Sequence, residues 1–326
     1  MSHIEVFSSI WNVVDAVNSC NNLAFHYPTD HNKQREIARG FRVKSKPDFA
    51  CCAGAIDGML LWIERPSEIE CEKAKCGSIK FFCGRKHKFG LNLQGTCNAD
   101  GKFLDVFIEH PALTSDYLSF STSTFKTKLE TPGFLANGLC IFGDNAYVNC
   151  LYMAMPFKNI PSGSKDDYNH YHSQLRIRIE CAFGMLVNRW GILQKALSTK
   201  ITLRKATSLA MCLCQLHNIS CWLETEAVER PPERPLSPLA VDEFEIACQG
   251  GIQLDDGGVS RVNSQGDIGQ LLDHGQHHFD DIDYNAIKNL VNHHVRSGRT
   301  MLRDKMLTCV QDQGLKRPIP KRWTKV

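Results

Sequence analysis

Three acidic residues, Asp57, Asp144 and Glu180, each interrupt an apolar segment of this chain. A carboxylate is seldom placed against apolar surface unless a cation or hydrogen bonds offset its loss of hydration. Three such placements in one chain suggest a shared ligand, and a divalent metal ion is the simplest one. We therefore take these acids as candidate catalytic and metal-binding residues.

The segments around the acids predict two strands and a helix. Asp57 interrupts the apolar run 55–63, which has the length of a strand covered on both faces. Asp144 follows the apolar run 139–142, at a strand exit where open α/β sheets place their ligands. Glu180 borders the apolar stripe of an amphipathic helix, formed by Leu175, Ile179, Ala182, Phe183, Leu186, Trp190 and Leu193.

Carboxylates from two strands and a helix can converge on Mg²⁺, which takes a few carboxylate oxygens and keeps positions open for phosphate and water. Two such ions, about 4 Å apart, stabilise both the attacking and the leaving oxygen of a phosphoryl displacement. The pattern predicts phosphodiester cleavage or exchange. Each acid also has an ordinary explanation: Asp57 bonded to backbone, Asp144 in an Asx turn, and Glu180 paired with Arg176 four residues earlier.

The sequence around these acids resembles a known family. Its motifs are AIDG (55–58), FGDNAY (142–147), ECAFGMLVNRWGIL (180–193) and LHN (216–218). Together, over about residues 52–223, they are similar to the nuclease domain of PIF/Harbinger-type DDE transposases, which are DDE superfamily endonucleases. The resemblance implies an α/β, RNase H-like fold of the DDE transposase/integrase type, with a mixed sheet flanked by helices. It also implies that Asp57, Asp144 and Glu180 bind Mg²⁺ or Mn²⁺.

The chain departs from the family at one motif, because Ser115-Asp116 stands where many relatives have His-Asp. The resemblance nevertheless implies a metal-dependent DNA endonuclease or transposase of Harbinger type, with a two-metal mechanism and strand transfer. The alternative is a domesticated DNA-binding or scaffold protein that keeps the fold without nuclease activity. A nuclease acting on RNA has support only at the level of the fold.

The expected partners follow from the same resemblance. Fewer than sixty residues precede Asp57, and no helix-turn-helix is evident among them. We therefore expect DNA targeting through a Myb/SANT-like partner protein, and a homo-oligomer on DNA.

A run of basic residues between the first two predicted strands is the candidate DNA-binding surface. Residues 73–88 contain six Lys or Arg and no acid, beside several phenylalanines. Such a mixture suits a nucleic-acid backbone, although a solvated hairpin face is the common alternative. The candidates for phosphate contact are Lys80, Arg85, Lys86 and Lys88, with Arg176 and Arg189 on the Glu180 helix, for which an exposed helix surface is the alternative.

Composition favours a soluble intracellular protein. The chain has a net charge of only +3, shows no signal peptide, and has no apolar stretch long enough to span a bilayer. An odd count of 15 cysteines favours reduced thiols over a disulfide framework. Cys71, Cys76 and Cys83 lack CxxC spacing, so buried thiols are preferred to zinc ligands, and zinc stays open. We expect a nuclear protein that is also present in the cytoplasm.

The chain divides into four predicted parts. These are an N-terminal helical approach (1–50), the nuclease domain (51–225), a disordered acidic linker (226–285) and a basic C-terminal helix and tail (286–326). The tail from residue 316 is either a nuclear-import or DNA-backbone element or a frayed basic terminus. We expect residues 1–226 to fold without the C-terminal part. Inside the domain, strands are predicted at 55–63, 88–96 and 103–109, followed by a crossover helix at 115–129.

Overall fold

A mixed β-sheet forms the centre of the molecule, whose computed structural model describes residues 3–160, 162–229 and 302–318. In these ranges the sheet has six strands: β1 Cys52–Ile63, β2 Phe82–Cys83, β3 Lys88–Cys97, β4 Phe103–Pro111, β5 Cys140–Phe142 and β6 Met153–Ala154. Strand β3 pairs antiparallel with β1, β2 and β4, while β5 runs parallel to β1 and β6 runs parallel to β5. The predicted antiparallel meander is confirmed.

The turn between β3 and β4 shows why these two strands of the meander pair at this point of the chain. The side chain of Asn98 accepts hydrogen bonds from the backbone N–H of Asp100 at 3.0 Å and of Lys102 at 2.9 Å. Gly101 follows with φ +82°, a conformation that favours glycine, and a Cβ there would lie 2.5 Å from Cε of Met185. The turn is thus fixed locally and packs directly against the long helix that carries Glu180.

Helices cover both faces of the sheet. They are α1 His3–Asn18, α2 His31–Val43, α3 Glu68–Lys73, α4 Asp116–Ser121, α5 Thr124–Glu130, α6 Ser164–Arg189, α7 Leu203–Glu229 and α8 Leu302–Asp312. Helix α6 buries the predicted stripe, including Leu175, Ile179 and Leu186, against one face. Helices α4 and α5 bury Phe120, Phe125 and Leu129 against the other face. The RNase H-like architecture expected from the sequence is confirmed.

Two helical predictions need correction. Within the predicted helical approach (1–50), the sequence indicates a polar segment at 27–46 that leads to β1; this segment contains α2, which Asp30 caps by accepting the N–H of Asn32 at 2.8 Å. Phe41 anchors this helix in the core with no exposed surface. The crossover helix predicted at 115–129 is two helices, because α4 ends at Ser121 and the Ser123 hydroxyl caps α5 by accepting the N–H of Lys126 at 3.1 Å.

The C-terminal helix belongs to the same core as the nuclease domain. Met306 and Val310 of α8 are 5% and 0% exposed and pack with α6 in the core. Beyond α8, the Arg317 backbone N–H donates to the buried Asp167 carboxylate at 2.7 Å. The expected separation of the C-terminal part is therefore wrong for residues 302–318, as is the linker start at 226, which lies inside α7. Residues 230–301 and the basic end at 319–326 lie outside the described residues.

No helix in the described ranges is both long enough and apolar enough to cross a bilayer. The cysteines of these ranges are free thiols.

Candidate active site

Asp57 lies where β1 extends beyond its parallel neighbour. The last pair of β1 with β5 is Ala55 with Phe142, so Asp57 stands at the start of an edge that β5 leaves open. Its side chain is 17% exposed and faces α6. The backbone N–H of Gly58 donates to Oδ1 at 2.8 Å, and Arg176 Nη1 contacts Oδ2 at 3.0 Å. The acid is therefore fixed through both oxygens.

Arg176 joins Asp57 to Glu180. Because Arg176 and Glu180 are four residues apart on α6, they lie on the same side of the helix, and Arg176 Nη1 is 2.5 Å from Glu180 Oε1. One guanidinium nitrogen thus contacts a strand acid and a helix acid of the predicted triad. The ordinary explanation of Glu180 as a partner of Arg176 is confirmed, yet the same contact brings Glu180 to Asp57.

Asp144 stands at the end of β5, beside this pair. Its Oδ1 accepts the Ala146 N–H at 2.8 Å, which confirms the Asx turn. The turn needs Gly143, because a Cβ at that position would lie 2.9 Å from the Tyr147 ring. Asp144 is close enough to influence both Asp57 and Arg176 electrostatically. The three predicted acids therefore share one region of the molecule, at the open edge of β1.

The charges of this region are unbalanced. Burial raises the pKa of Asp57 to about 7; Arg176 opposes this rise, and the negative charge of Asp144 adds to it. Burial disfavours the charged form of Arg176, but Glu180 and Asp57 raise its pKa above the usual value. Desolvation is the main cause of the raised Asp57 pKa, and the acids Asp144 and Asp116 add to it against one close cation, Arg176. An added cation would relieve the repulsion among these acids.

A fourth acid, Asp116, lies close to Asp57 at the start of α4. Its Oδ1 accepts hydrogen bonds from Asn92 Nδ2 at 3.0 Å and from Gln94 Nε2 at 2.9 Å. The Tyr147 hydroxyl donates to Gln94 Oε1 at 2.7 Å, so the network reaches the Asp144 turn. Burial raises the pKa of Asp116, and its amide partners oppose this.

Sequence reasoning missed the residues that hold Asp116. Asn92, Gln94 and Thr96 alternate along β3 with Leu91 and Leu93, and all five are buried. Polar side chains at every second position of a buried strand need partners on one face of the sheet. This alternation was the available signal for a polar network beneath the site.

The basic segment 73–88, called the basic hairpin below, borders a groove that Asp116 lines at its other side. A cavity of about 560 Å³ extends from Gly58 and Asp116 to Arg85 and Lys86, which are exposed. Apolar side chains contribute to its lining: Met59, Leu60, Leu61, Leu113, Val187 and Leu193. Lys88 and Lys80 are the other two candidates for DNA contact on the basic hairpin. Lys88 Nζ lies 3.2 Å from the centre of the Trp62 ring, and Lys80 does not line the groove.

Arg189 and His217 lie elsewhere on the helices. Arg189 Nη1 donates to His217 Nδ1 at 2.8 Å, and Nη2 contacts Glu224 at 2.5 Å. His217 has no exposed surface, and its Nε2 donates to the Gly101 carbonyl at 3.0 Å. Arg189 is nine residues from Glu180, about 13 Å along the helix axis. The structure thus brings Arg176, and not Arg189, to the predicted triad.

The acids have the chemistry of a divalent-metal site, although their carboxylate oxygens do not converge on one position where an ion could bind. Within the described residues, no three His, Cys, Asp or Glu side chains are arranged to hold an ion, and this includes Cys71, Cys76 and Cys83. Asp57 and Glu180 nevertheless present carboxylate oxygens to one cationic nitrogen. Such hard oxygen donors fit Mg²⁺ or Mn²⁺.

A mixed sheet with one acid on β1, one just after β5 and a third on the covering helix α6 suits a nuclease-like class of protein. Comparison with known proteins agrees: the family described as DDE superfamily endonuclease matches residues 56–218, half of the 326-residue chain. The chain belongs to this family.

A curated relative, "Protein ALP1-like" of Arabidopsis thaliana, is 25% identical over 230 residues, which are 66% of this chain and 54% of the relative. The chain thus spans about half the length of that protein. No solved structure gives a significant match.

Proposed function

We propose that this protein is a DNA endonuclease of Harbinger type that depends on Mg²⁺ or Mn²⁺. The observation that carries the proposal is the position of Asp57 and Glu180 on either side of one cationic nitrogen, with Asp144 close by. These are the three acids expected from the resemblance, and all lie within the region that matches the family.

In this proposal Asp57, Asp144 and Glu180 hold the metal ions. When bound, the metal supplies Lewis-acid activation of the phosphate and of the attacking water, in a two-metal arrangement. The protein supplies the positions: β1 fixes Asp57 through its bond to Gly58, and the Asx turn fixes Asp144. Glu180 is 47% exposed and can adjust to the ligand. The cut leaves a 3′-hydroxyl that could attack target DNA.

The groove beside Gly58 and Asp116 gives the DNA strand a path next to the proposed site. Arg85 and Lys86 lie at its far side, where they can contact phosphates next to the one that is cut. The apolar lining can exclude water around the strand. Lys88, held over Trp62, and Lys80 are proposed as weaker contacts on the same hairpin. Arg176 can reach a phosphate only after it leaves its two carboxylates.

We further propose that the protein binds DNA as a homo-oligomer with a Myb/SANT-like partner, in the nucleus. Helix α1 supports a protein partner, because Ile4, Phe7, Ile10 and Val13 are all at least 48% exposed. Exposed apolar patches mark interaction surfaces. The basic composition of residues 316–325 supports nuclear import.

A nicking assay on supercoiled plasmid DNA tests the proposed chemistry. Wild-type protein should nick the plasmid with Mg²⁺ or Mn²⁺ and lose activity in a chelator. Asp57→Asn and Glu180→Gln should each lower the rate at least about a hundredfold, because each removes a charged metal ligand. Asp48→Asn, at an exposed acid paired with Arg42, is the matched control and should keep full activity. Equal rates in all four proteins would show that these acids do not cut DNA.

The second candidate function is DNA binding without cleavage. The position of Arg176 between two of the acids favours it, since a cation of the protein itself already occupies one carboxylate oxygen of each. The same proteins separate the two functions: DNA binding with no metal-dependent nicking by the wild type, at any Mg²⁺ or Mn²⁺ concentration, would favour the binding protein.

A further inference from the structure

The side chain of Arg176 is only 20% exposed, although it carries a permanent charge. Burying a guanidinium is unfavourable unless carboxylates compensate it closely. Asp57 and Glu180 provide that compensation through the same nitrogen, Nη1, at 3.0 and 2.5 Å. Arg176 is therefore the positive charge that partly compensates these two acids in the metal-free protein.

Arg176 and a divalent cation would need the same oxygens. Oδ1 of Asp57 already accepts the Gly58 N–H, so Oδ2 is the oxygen turned toward α6, and Arg176 contacts it. Mg²⁺ binds carboxylate oxygens at about 2.0–2.1 Å. An ion on Oδ2 and Oε1 would stand within a few ångströms of Nη1, where like charges repel strongly in a partly buried site. The two cations exclude each other.

We infer that Arg176 is a resident counter-ion of this site, which a divalent cation must displace from Asp57 and Glu180 in order to bind. The inference rests on the proposed function, because it assumes that these acids hold a metal. It adds a switch: without metal, Arg176 keeps the acids together and blocks them, and with metal, its guanidinium is released from both carboxylates. Glu180, the more exposed acid, is the partner that moves first.

The experiment measures Mn²⁺ binding to the full chain by calorimetry, without DNA. Arg176→Gln removes the competing charge and should bind Mn²⁺ about tenfold tighter or more than the wild type. Arg176→Lys keeps a charge and should stay close to the wild type. The matched control is Arg178→Gln, on the same helix but about 200° around its axis, which should leave the affinity unchanged.

Thermal melting provides a second readout. Metal-free Arg176→Gln should melt below the wild type, because Asp57 loses its compensating charge, and Mn²⁺ should raise its melting temperature more than that of the wild type. If Arg176→Gln does not fold, crystal structures of the wild type with and without Mn²⁺ decide the matter. Arg176 should contact both acids only in the metal-free crystal.

The outcomes distinguish the inference from the function on which it rests. Mn²⁺ binding by the wild type, with unchanged or weaker binding by Arg176→Gln, overturns the counter-ion role alone and makes Arg176 a residue that positions the acids. Retention of both Arg176 contacts beside a bound ion does the same. No Mn²⁺ binding by any of the proteins overturns both the inference and the proposed metal-dependent function.

Discussion

A Cβ atom at Gly58 would lie 2.1 Å from Oδ1 of Asp116. The Asp116 carboxylate, the fourth acid of the site, thus packs directly against the glycine that follows Asp57 in the AIDG motif. The same Cβ would lie 2.8 Å from Nε2 of Gln94, so it would also clash with the amide that holds Asp116. The missing side chain at residue 58 lets β1, β3 and α4 meet at one point.

Gly58→Ala should therefore destabilise the protein by about 1–3 kcal/mol, the usual cost of overpacking a filled interior. Asp116 cannot move aside without losing its bonds to Asn92 and Gln94. The measurement is the free energy of urea unfolding. Gly77→Ala is the control, since a Cβ there meets no atom within 4 Å. An equal loss of unfolding free energy in both variants would show that Asp116 can move aside without cost.

Asp57→Asn should change how stability depends on pH in the metal-free protein. The folded pKa of Asp57, about 7, lies above the value of about 3.9 for an unfolded aspartate. Protonated Asp57 therefore stabilises the folded state; this contribution is complete below about pH 4 and is lost as pH rises through 7. The asparagine does not titrate, so its stability relative to the wild type should rise between these limits, by up to about 1.4 kcal/mol per pH unit.

Chemical denaturation from pH 4 to pH 8 in a chelator checks this prediction. Because groups far from Asp57 titrate identically in both proteins, the difference between the two curves reports Asp57 and the charged groups coupled to it. Asp48→Asn, at the surface, provides the reference substitution. Parallel curves for the wild type and Asp57→Asn would mean that Asp57 is ionised normally in the folded protein.

Neutralising Arg85 and Lys86 together should weaken binding to all DNA sequences alike. The slope of log affinity against log salt should fall by roughly 0.9 for each duplex phosphate that the variant no longer neutralises. Arg35→Gln with Arg39→Gln removes the same charge from the exposed surface of α2 and should change the slope little. If the slope falls equally in both double variants, the hairpin acts only through net charge.

The local elements were predictable because their patterns are local. The stripe of α6 has helical period, and the meander strands are separated by a turn whose residues, from Asn98 to Gly101, fix its geometry. Helix α2 escaped prediction because it is polar and buries only Gln34, Ala38 and Phe41. Its helical state depends on tertiary packing, which the sequence pattern does not display.

The acids of the site were predictable from their apolar surroundings, but their partner was not. Asp57 and Arg176 are 119 residues apart, and nothing local to either predicts their contact. Arg189 has the same residue type on the same helix and lies against α7. Which arginine meets the acids is decided by how α6 lies across β1.

The C-terminal helix was placed outside the domain because composition changes sharply before it, from acidic to basic. Composition does not reveal that Met306 and Val310 face α6.

Ending the chain after residue 301 removes the side chains of Met306 and Val310, each of which contributes about 1.5–3 kcal/mol when buried. It also frees the buried Asp167 carboxylate from the Arg317 N–H. Loss of the two side chains alone should lower the unfolding free energy by about 3–6 kcal/mol, a large share of the stability of a typical domain. Ending the chain after residue 318 keeps these interactions and is the matched control. Differential scanning calorimetry of both truncations measures the effect, and equal melting temperatures would show that α8 adds nothing to the fold.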